Sequence, residues 1–187
     1  YNLIEDDLAR VTTAQGDLEL CVVFEPGLKP NQLFIPIHWN NQFAKNARVD
    51  SLVAPIIDEV SGQPEFKFTP ATITKLEAPC WAVLLTRTKL KCEPFINWSL
   101  SPLDNHQGYL YQVAVSANFN WQEFIALKRL MEQGPAQAYE HYADESVSDE
   151  RFVCYSDEQI EMAIFTHADR SQLPGRAWLQ RLFVEQV

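Results

Sequence analysis

Leu8-Ala-Arg-Val-Thr-Thr-Ala-Gln-Gly-Asp-Leu-Glu-Leu-Cys-Val-Val-Phe24 is the stretch whose reading decides the fold. Leu8 to Val11 reads as a strand, Ala14-Gln15-Gly16-Asp17 as a hairpin turn, and Leu18 to Phe24 as a second strand that Pro26-Gly27 breaks. Downstream, Gln32-Leu-Phe-Ile-Pro-Ile-His38 is strand-like. Pro36 lacks an amide donor, which confines this segment to an edge, a bulge or a strand end. Trp39 to Lys45 is polar and leaves the core, and Ala71-Thr-Ile-Thr-Lys-Leu76 returns to alternation. Val/Ile/Phe strands with few helical periods predict a β-barrel or another β domain over residues 1–77. Asp50 to Phe68 holds Pro55, Ser61, Gly62 and Pro64 without a period, so it reads as a long loop, either functional or a surface connection.

From Glu77 the texture changes. Cys80-Trp-Ala-Val-Leu-Leu-Thr86 and Gly108-Tyr-Leu-Tyr-Gln-Val-Ala-Val115 read as strands. Trp121, Phe124, Ile125, Leu127, Leu130 and Met131 share one helical face, with Asn118 or Asn120 as the cap and Gly134-Pro135 as the stop. Arg151-Phe-Val-Cys-Tyr155 and Gln159-Ile-Glu-Met-Ala-Ile-Phe165 form a hairpin pattern, and Trp178, Leu179, Leu182 and Phe183 a last helix. Residues 78–187 thus read as a second domain, a ββαββα-like α+β unit.

Composition excludes several function classes. The 187 residues carry 25 acids against 15 Lys and Arg, a net charge of −10, which argues against broad binding to nucleic-acid phosphates. Nothing approaches the ~20 apolar residues of a membrane span, and no basic, apolar leader opens the chain. Six scattered glycines write no GxGxxG, no phosphate loop and no GxSxG elbow, so a self-contained nucleotide enzyme or serine hydrolase is not indicated.

The four cysteines, Cys21, Cys80, Cys92 and Cys154, form no CxxC pair. They read as buried thiols, with a disulfide or metal framework the weaker alternative. Free thiols without a targeting segment place the chain in a reducing cytoplasm. The four histidines, at 38, 106, 141 and 167, show no HxH, HxxxH or HExxH spacing. No catalytic residue and no metal ligand is assigned. His38-Trp39 ends an apolar strand and opens an Asn-rich loop, which suits either a polar cofactor or a ring that caps the domain. Lys67, between Phe66 and Phe68, either meets an anion or points to water. The acids crowd between Glu140 and Glu161, as a solvated face or a docking face for a basic redox partner.

Several ordered motifs carry a resemblance. They are Asp7-Leu-Ala-Arg-Val-Thr-Thr13, Gly16, Leu28-Lys-Pro-Asn-Gln-Leu-Phe-Ile-Pro-Ile-His-Trp39, Ala47-Arg-Val-Asp50 and Asp58-Glu-Val-Ser-Gly-Gln-Pro-Glu-Phe-Lys67. The set resembles the C-terminal molybdopterin-dinucleotide-binding domain of the large molybdenum oxidoreductases, and looks most like the catalytic subunit of bacterial assimilatory nitrate reductases. Arg151-Phe-Val, Ala163-Ile-Phe165 and Leu173-Pro-Gly-Arg-Ala-Trp-Leu179 resemble the C-terminal extension of that subunit.

The resemblance implies a mixed α/β chain, a double-psi β-barrel followed by the small α+β region. It implies a cofactor site shared with the rest of the parent polypeptide, in which His38, Trp39, Asn40, Asp50, Phe66 and Lys67 contribute. Asp50 stands where many relatives carry Asn, so it accepts but does not donate. In the parent, the implied cofactors are molybdenum bis(molybdopterin guanine dinucleotide) and an iron–sulfur cluster, whose cysteines precede Tyr1. None is expected on this fragment alone. The implied partners are nitrate as substrate and a redox donor protein or reductase subunit, with no nucleic acid and no membrane. A formate-dehydrogenase-like parent and a non-catalytic interaction module are the alternatives.

Overall fold

A computed structural model describes residues 2–5, 7–64, 68–104, 107–132, 138–144, 146, 148–156 and 159–185. The chain divides into two units, Tyr1–Glu77 and Ala78–Val187. Its architecture is mixed, with two antiparallel sheets and few helices.

The first unit holds β1 (Leu8–Thr12), β2 (Asp17–Cys21) and β3 (Thr72–Lys75), in the order β2-β1-β3. The β1–β2 hairpin closes where the Thr13 amide donates to the Gly16 carbonyl at 2.8 Å and the Gln15 amide donates to Thr13 Oγ1 at 3.1 Å. Arg10 lies opposite Glu19 in the ladder and bonds its carboxylate at 2.6 Å. Period-2 alternation sends Val11 and Leu18 inward, onto Val49 and Leu52 from a single 3₁₀ turn. Leu20, Ile35, Trp39 and Ile73 pack around these four.

Among the described residues this sheet is open, and the closed double-psi barrel is not what the structure holds. The second strand stops at Cys21 rather than Phe24, and residues 32–38 form no strand. Val23 and Phe24 are exposed, so no buried face fixes their register. Pro26, Pro30 and Pro36 each remove a ladder donor from the segment that closure requires.

The second unit is a six-stranded sheet. Its strands are β4 (Cys80–Thr86), β5 (Asn97–Pro102), β6 (Tyr109–Val115), β7 (Ala138–Asp144), β8 (Asp149–Ser156) and β9 (Gln159–His167). Their order is β5-β6-β4-β9-β8-β7, antiparallel throughout. Helix α1 (Trp121–Glu132) joins β6 to β7, and α2 (Arg176–Gln180) follows β9 and widens into a π-helical turn over Arg181–Glu185. The unit therefore carries one strand more in each half than the ββαββα pattern. Asn97–Pro102 ends in a proline, and it is tolerated because β5 lies at the sheet edge.

Strand β4 is buried at every position because both faces of the sheet are covered. On one face Ala82, Leu84, Tyr111, Phe152 and Ile164 meet Trp121 and Ile125 of α1. On the other, Val83, Leu85, Leu110 and Phe165 meet Leu179 and Phe183. Asn120 Oδ1 accepts from the Glu123 amide at 3.0 Å and caps α1, while the Gly134-Pro135 stop lies outside the described residues. All four cysteines are free, with Cys80 and Cys154 buried. Among the described residues no helix is long and apolar enough to cross a membrane.

Candidate functional site

The loop from Pro36 to Leu52 gathers most of the site residues read from the sequence. It is held by backbone bonds at both ends. The Trp39 amide donates to the Pro36 carbonyl at 3.0 Å, which makes a turn of residues 36–39. The Val49 amide reaches the Trp39 carbonyl at 3.5 Å, so the turn around 38–40 lies beside the 3₁₀ turn that carries Asp50.

His38 is exposed at the tip of this turn, and its carbonyl accepts from Asn40 Nδ2 at 3.2 Å. Asn40 Oδ1 in turn accepts from the Gln42 amide at 2.8 Å, an Asx-type turn that fixes the loop. Trp39 packs on the small core and stacks on Phe43, with ring centroids 5.6 Å apart. Its indole Nε1 is buried and has no hydrogen-bond partner among the described residues. A buried donor without a partner costs about 1–3 kcal/mol, so it calls for an explanation.

Asp50 is exposed and is held by Arg48, a residue of the same Ala47-Arg-Val-Asp50 motif to which the sequence reading gave no role. Arg48 Nε and Nη2 donate to its two carboxylate oxygens at 2.8 and 2.9 Å. Those hydrogen bonds hold the Asp50 carboxyl below the usual carboxylate range. The pairing offsets the acidic charge of Asp50, and it uses two of the guanidinium donors of the exposed Arg48. The Arg-x-Asp spacing was the available signal.

Phe66 and Lys67 lie outside the described residues. The loop leading to them is described, and it too is closed by an acid. Asp58 Oδ1 accepts from the Ser61 amide at 2.6 Å, the Ser61 hydroxyl at 2.8 Å and the Val60 amide at 3.1 Å. These bonds, the Ser61 amide first, hold the Asp58 carboxyl below its ordinary value. Gly62 follows at φ +70°, where a side chain would be strained, and Ile57 bridges to Pro64. An Asp three residues before Ser-Gly is a readable turn signal, although Asp58 acts on the loop rather than on a ligand.

The structure thus brings 38–40 and 48–50 together and presents donors there. No group of three or more His, Cys, Asp or Glu able to hold a metal occurs among the described residues. The chemistry of the surface is that of acceptor-rich ligands. It offers the His38 imidazole, the Asn40 amide and the Arg48 guanidinium, while the unpartnered Trp39 indole N–H is buried; Phe34 and Ile37 of the preceding segment are exposed.

Residues 1–70 match the model of the molydopterin dinucleotide binding domain. A nitrate reductase of Klebsiella oxytoca is 39% identical over 99 residues, a stretch that is 52% of this chain and 11% of that relative. This chain therefore corresponds to about a tenth of the curated relative that it matches. No solved structure matches. The family match thus covers the first 70 of the 187 residues, the part of the chain that carries the loop described above.

Proposed function

We propose that this chain is the C-terminal part of a molybdenum-dependent nitrate reductase, and that it supplies one side of the molybdopterin guanine dinucleotide site. The observation that carries the reading is a coincidence of place. Residues 1–70 match the dinucleotide-binding domain, and within them lies the loop whose buried Trp39 Nε1 has no partner. A pterin dinucleotide is rich in carbonyl and phosphate acceptors, which fits a donor-bearing surface. Trp39 Nε1, Asn40, the free edge of the Arg48 guanidinium and Lys67 would hold it, with His38 at the exposed tip toward the substrate side.

The bound molybdenum cofactor would supply the oxygen-atom transfer that turns nitrate into nitrite. The residues of this chain bind and orient. Lys67 meets acceptors as a compact cation with three donors. Arg48 neutralises Asp50, so that no uncompensated acid faces a phosphate. Electrons would arrive through an iron–sulfur cluster on the preceding part of the parent, from a redox donor in the cytoplasm, in nitrate assimilation. The fragment is inactive alone, because the molybdenum ligand and most cofactor contacts belong to the remaining polypeptide.

The test uses the full-length parent with Lys67→Ala and, separately, Trp39→Phe. Loss of molybdenum and guanine nucleotide content, together with nitrate reduction, is the expected result. Unchanged content with unchanged activity would refute the cofactor role and favour an interaction module. Turnover of formate but not nitrate by the unaltered parent would move the assignment to a formate-dehydrogenase-like enzyme. Nitrate reduction above buffer by the purified 187-residue chain would overturn the claim that it is inactive alone.

A further inference from the structure

The second unit contains a half-open pocket of about 350 Å³ that plays no part in the reading above. We propose that it binds a small organic cation, an alkylammonium or guanidinium head, between the Glu150 carboxylate and the rings of Phe119 and Trp121.

The pocket wall is built by the β7–β8 hairpin and the start of α1. His141 faces Phe152 in the ladder, and the two rings stack with centroids 4.1 Å apart and an interplanar angle of 7°. Glu150 lies two residues before Phe152 and so on the same face, which brings its Oε2 to 3.1 Å from His141 Nε2. A carboxylate only accepts, so Nε2 carries the proton, and Nδ1 takes the Gln122 amide at 3.5 Å. His141 uses one of the several lone-pair positions of the Glu150 carboxylate.

Among the described residues no Lys or Arg lines this pocket, and its other polar groups, Ser116, Gln122 and Ser148, all offer acceptor oxygens. The charge of Glu150 is felt at the floor, where burial first and Glu150 second push the Cys80 thiol up. Phe119 and Trp121 line the pocket with ring centroids 4.5 Å apart, and aromatic rings attract cations. The positive end of α1 is near, but its Glu123 amide is already taken by Asn120 Oδ1. An anion would meet an acid with no lysine or arginine to balance it.

The rim is held under strain. Ser148 sits at φ +55°, a left-handed conformation rare for serine, and its carbonyl accepts from Thr166 Oγ1 at 2.7 Å. The same buried hydroxyl accepts from the Glu150 amide at 2.8 Å, which fixes the carboxylate's origin. Backbone strain that a fold maintains in this way clusters at ligand sites. The volume lies at the lower end of the ~300–1,000 Å³ usual for small-molecule pockets.

The test compares n-butylammonium with n-butyrate, at equal ionic strength and pH 7.5, on the intact 187-residue chain. The His141 imidazole and Trp121 indole resonances are followed by NMR. Saturable shifts with the cation, none with the anion, and weakening by about tenfold or more in Glu150→Gln are expected. The inference is overturned by a cation series that does not saturate, by tighter binding of butyrate, or by a folded Glu150→Gln chain that binds as before. The cation–anion comparison uses the unaltered chain, so it decides the matter even if the variant does not fold.

Discussion

Arg48 and Asp50 are two residues apart, and their side chains meet fork to fork at 2.8 and 2.9 Å on an exposed loop. The arginine hydrogen bonds lower the Asp50 pKa, so the ionised pair contributes stability above the ordinary carboxylate range. That contribution is lost as the pH falls through the depressed folded value. We therefore expect the Asp50 carboxyl, followed by ¹³C NMR, to titrate below a free aspartate, and to return to the ordinary value in Arg48→Gln. An unchanged titration in the variant would show that the arginine is not the cause. Trp39 poses the opposite problem, a buried donor that nothing described satisfies. Trp39→Phe removes that donor and keeps an aromatic ring on the core, so we expect the chain alone to change stability by less than about 1.5 kcal/mol in urea unfolding. A loss well beyond that would mean the indole N–H is satisfied within the chain, and its role toward a ligand would fall.

The elements divide by how their residues are covered. Strand β4 was legible because seven consecutive buried residues read as one apolar run. The helix at Trp121 was legible because its period and its Asn120 cap agree. Strands β5 and β7 were not. Asn97-Trp-Ser-Leu-Ser-Pro102 is polar at half its positions because it is an edge, and Ala138–Asp144 is the opposite edge of the same sheet. Edge strands bury less, so the sequence needs less apolar patterning there. In the first unit the error ran the other way, since Val22 to Phe24 and Gln32 to His38 are apolar enough to read as strands yet lie largely exposed. Within the candidate site the motif residues were visible, whereas Arg48 and Asp58 act through contacts that spacing alone only suggests. Two contacts between elements give tests. A Cβ at Gly108 would stand 2.7 Å from the Thr86 carbonyl oxygen and 2.9 Å from the Phe183 ring, so Gly108→Ala should destabilise by about 1–3 kcal/mol. Arg87 donates to the carbonyls of Ile160, Gln107 and Phe183 at 3.0–3.1 Å and lies 4.1 Å over the Phe183 ring. Lysine cannot match that fork, so Arg87→Lys should cost about 1.5–3 kcal/mol and loosen the C-terminal turn first, read as faster amide exchange over residues 179–183. Variants as stable as the parent chain would mean that neither contact matters.

Over the whole molecule, apolar exposure is uneven. Of the fifteen large hydrophobic residues exposed among those described, eleven lie in the first unit, including Phe24, Phe34, Ile57, Val60 and Phe68. The buried core of that unit is small, centred on Val11, Leu18, Val49 and Leu52. A unit that shows this many apolar side chains and buries this few is one that a further surface completes. On the proposed function that surface is the rest of the parent polypeptide, which would also supply the missing part of the cofactor site. The acids between Glu140 and Glu161 are a separate matter, because a net charge of −10 steers cations without covering any apolar face. The purified chain should therefore bind a hydrophobic dye such as ANS and self-associate as its concentration rises. The double change Phe34→Ser and Phe68→Ser should lower both signals while leaving the unfolding midpoint of the second unit in place, because neither ring belongs to that unit. Dye binding at the level of an ordinary monomeric domain, or a drop in the second unit's midpoint, would show that the first unit is complete by itself and remove the reason for looking to a larger body.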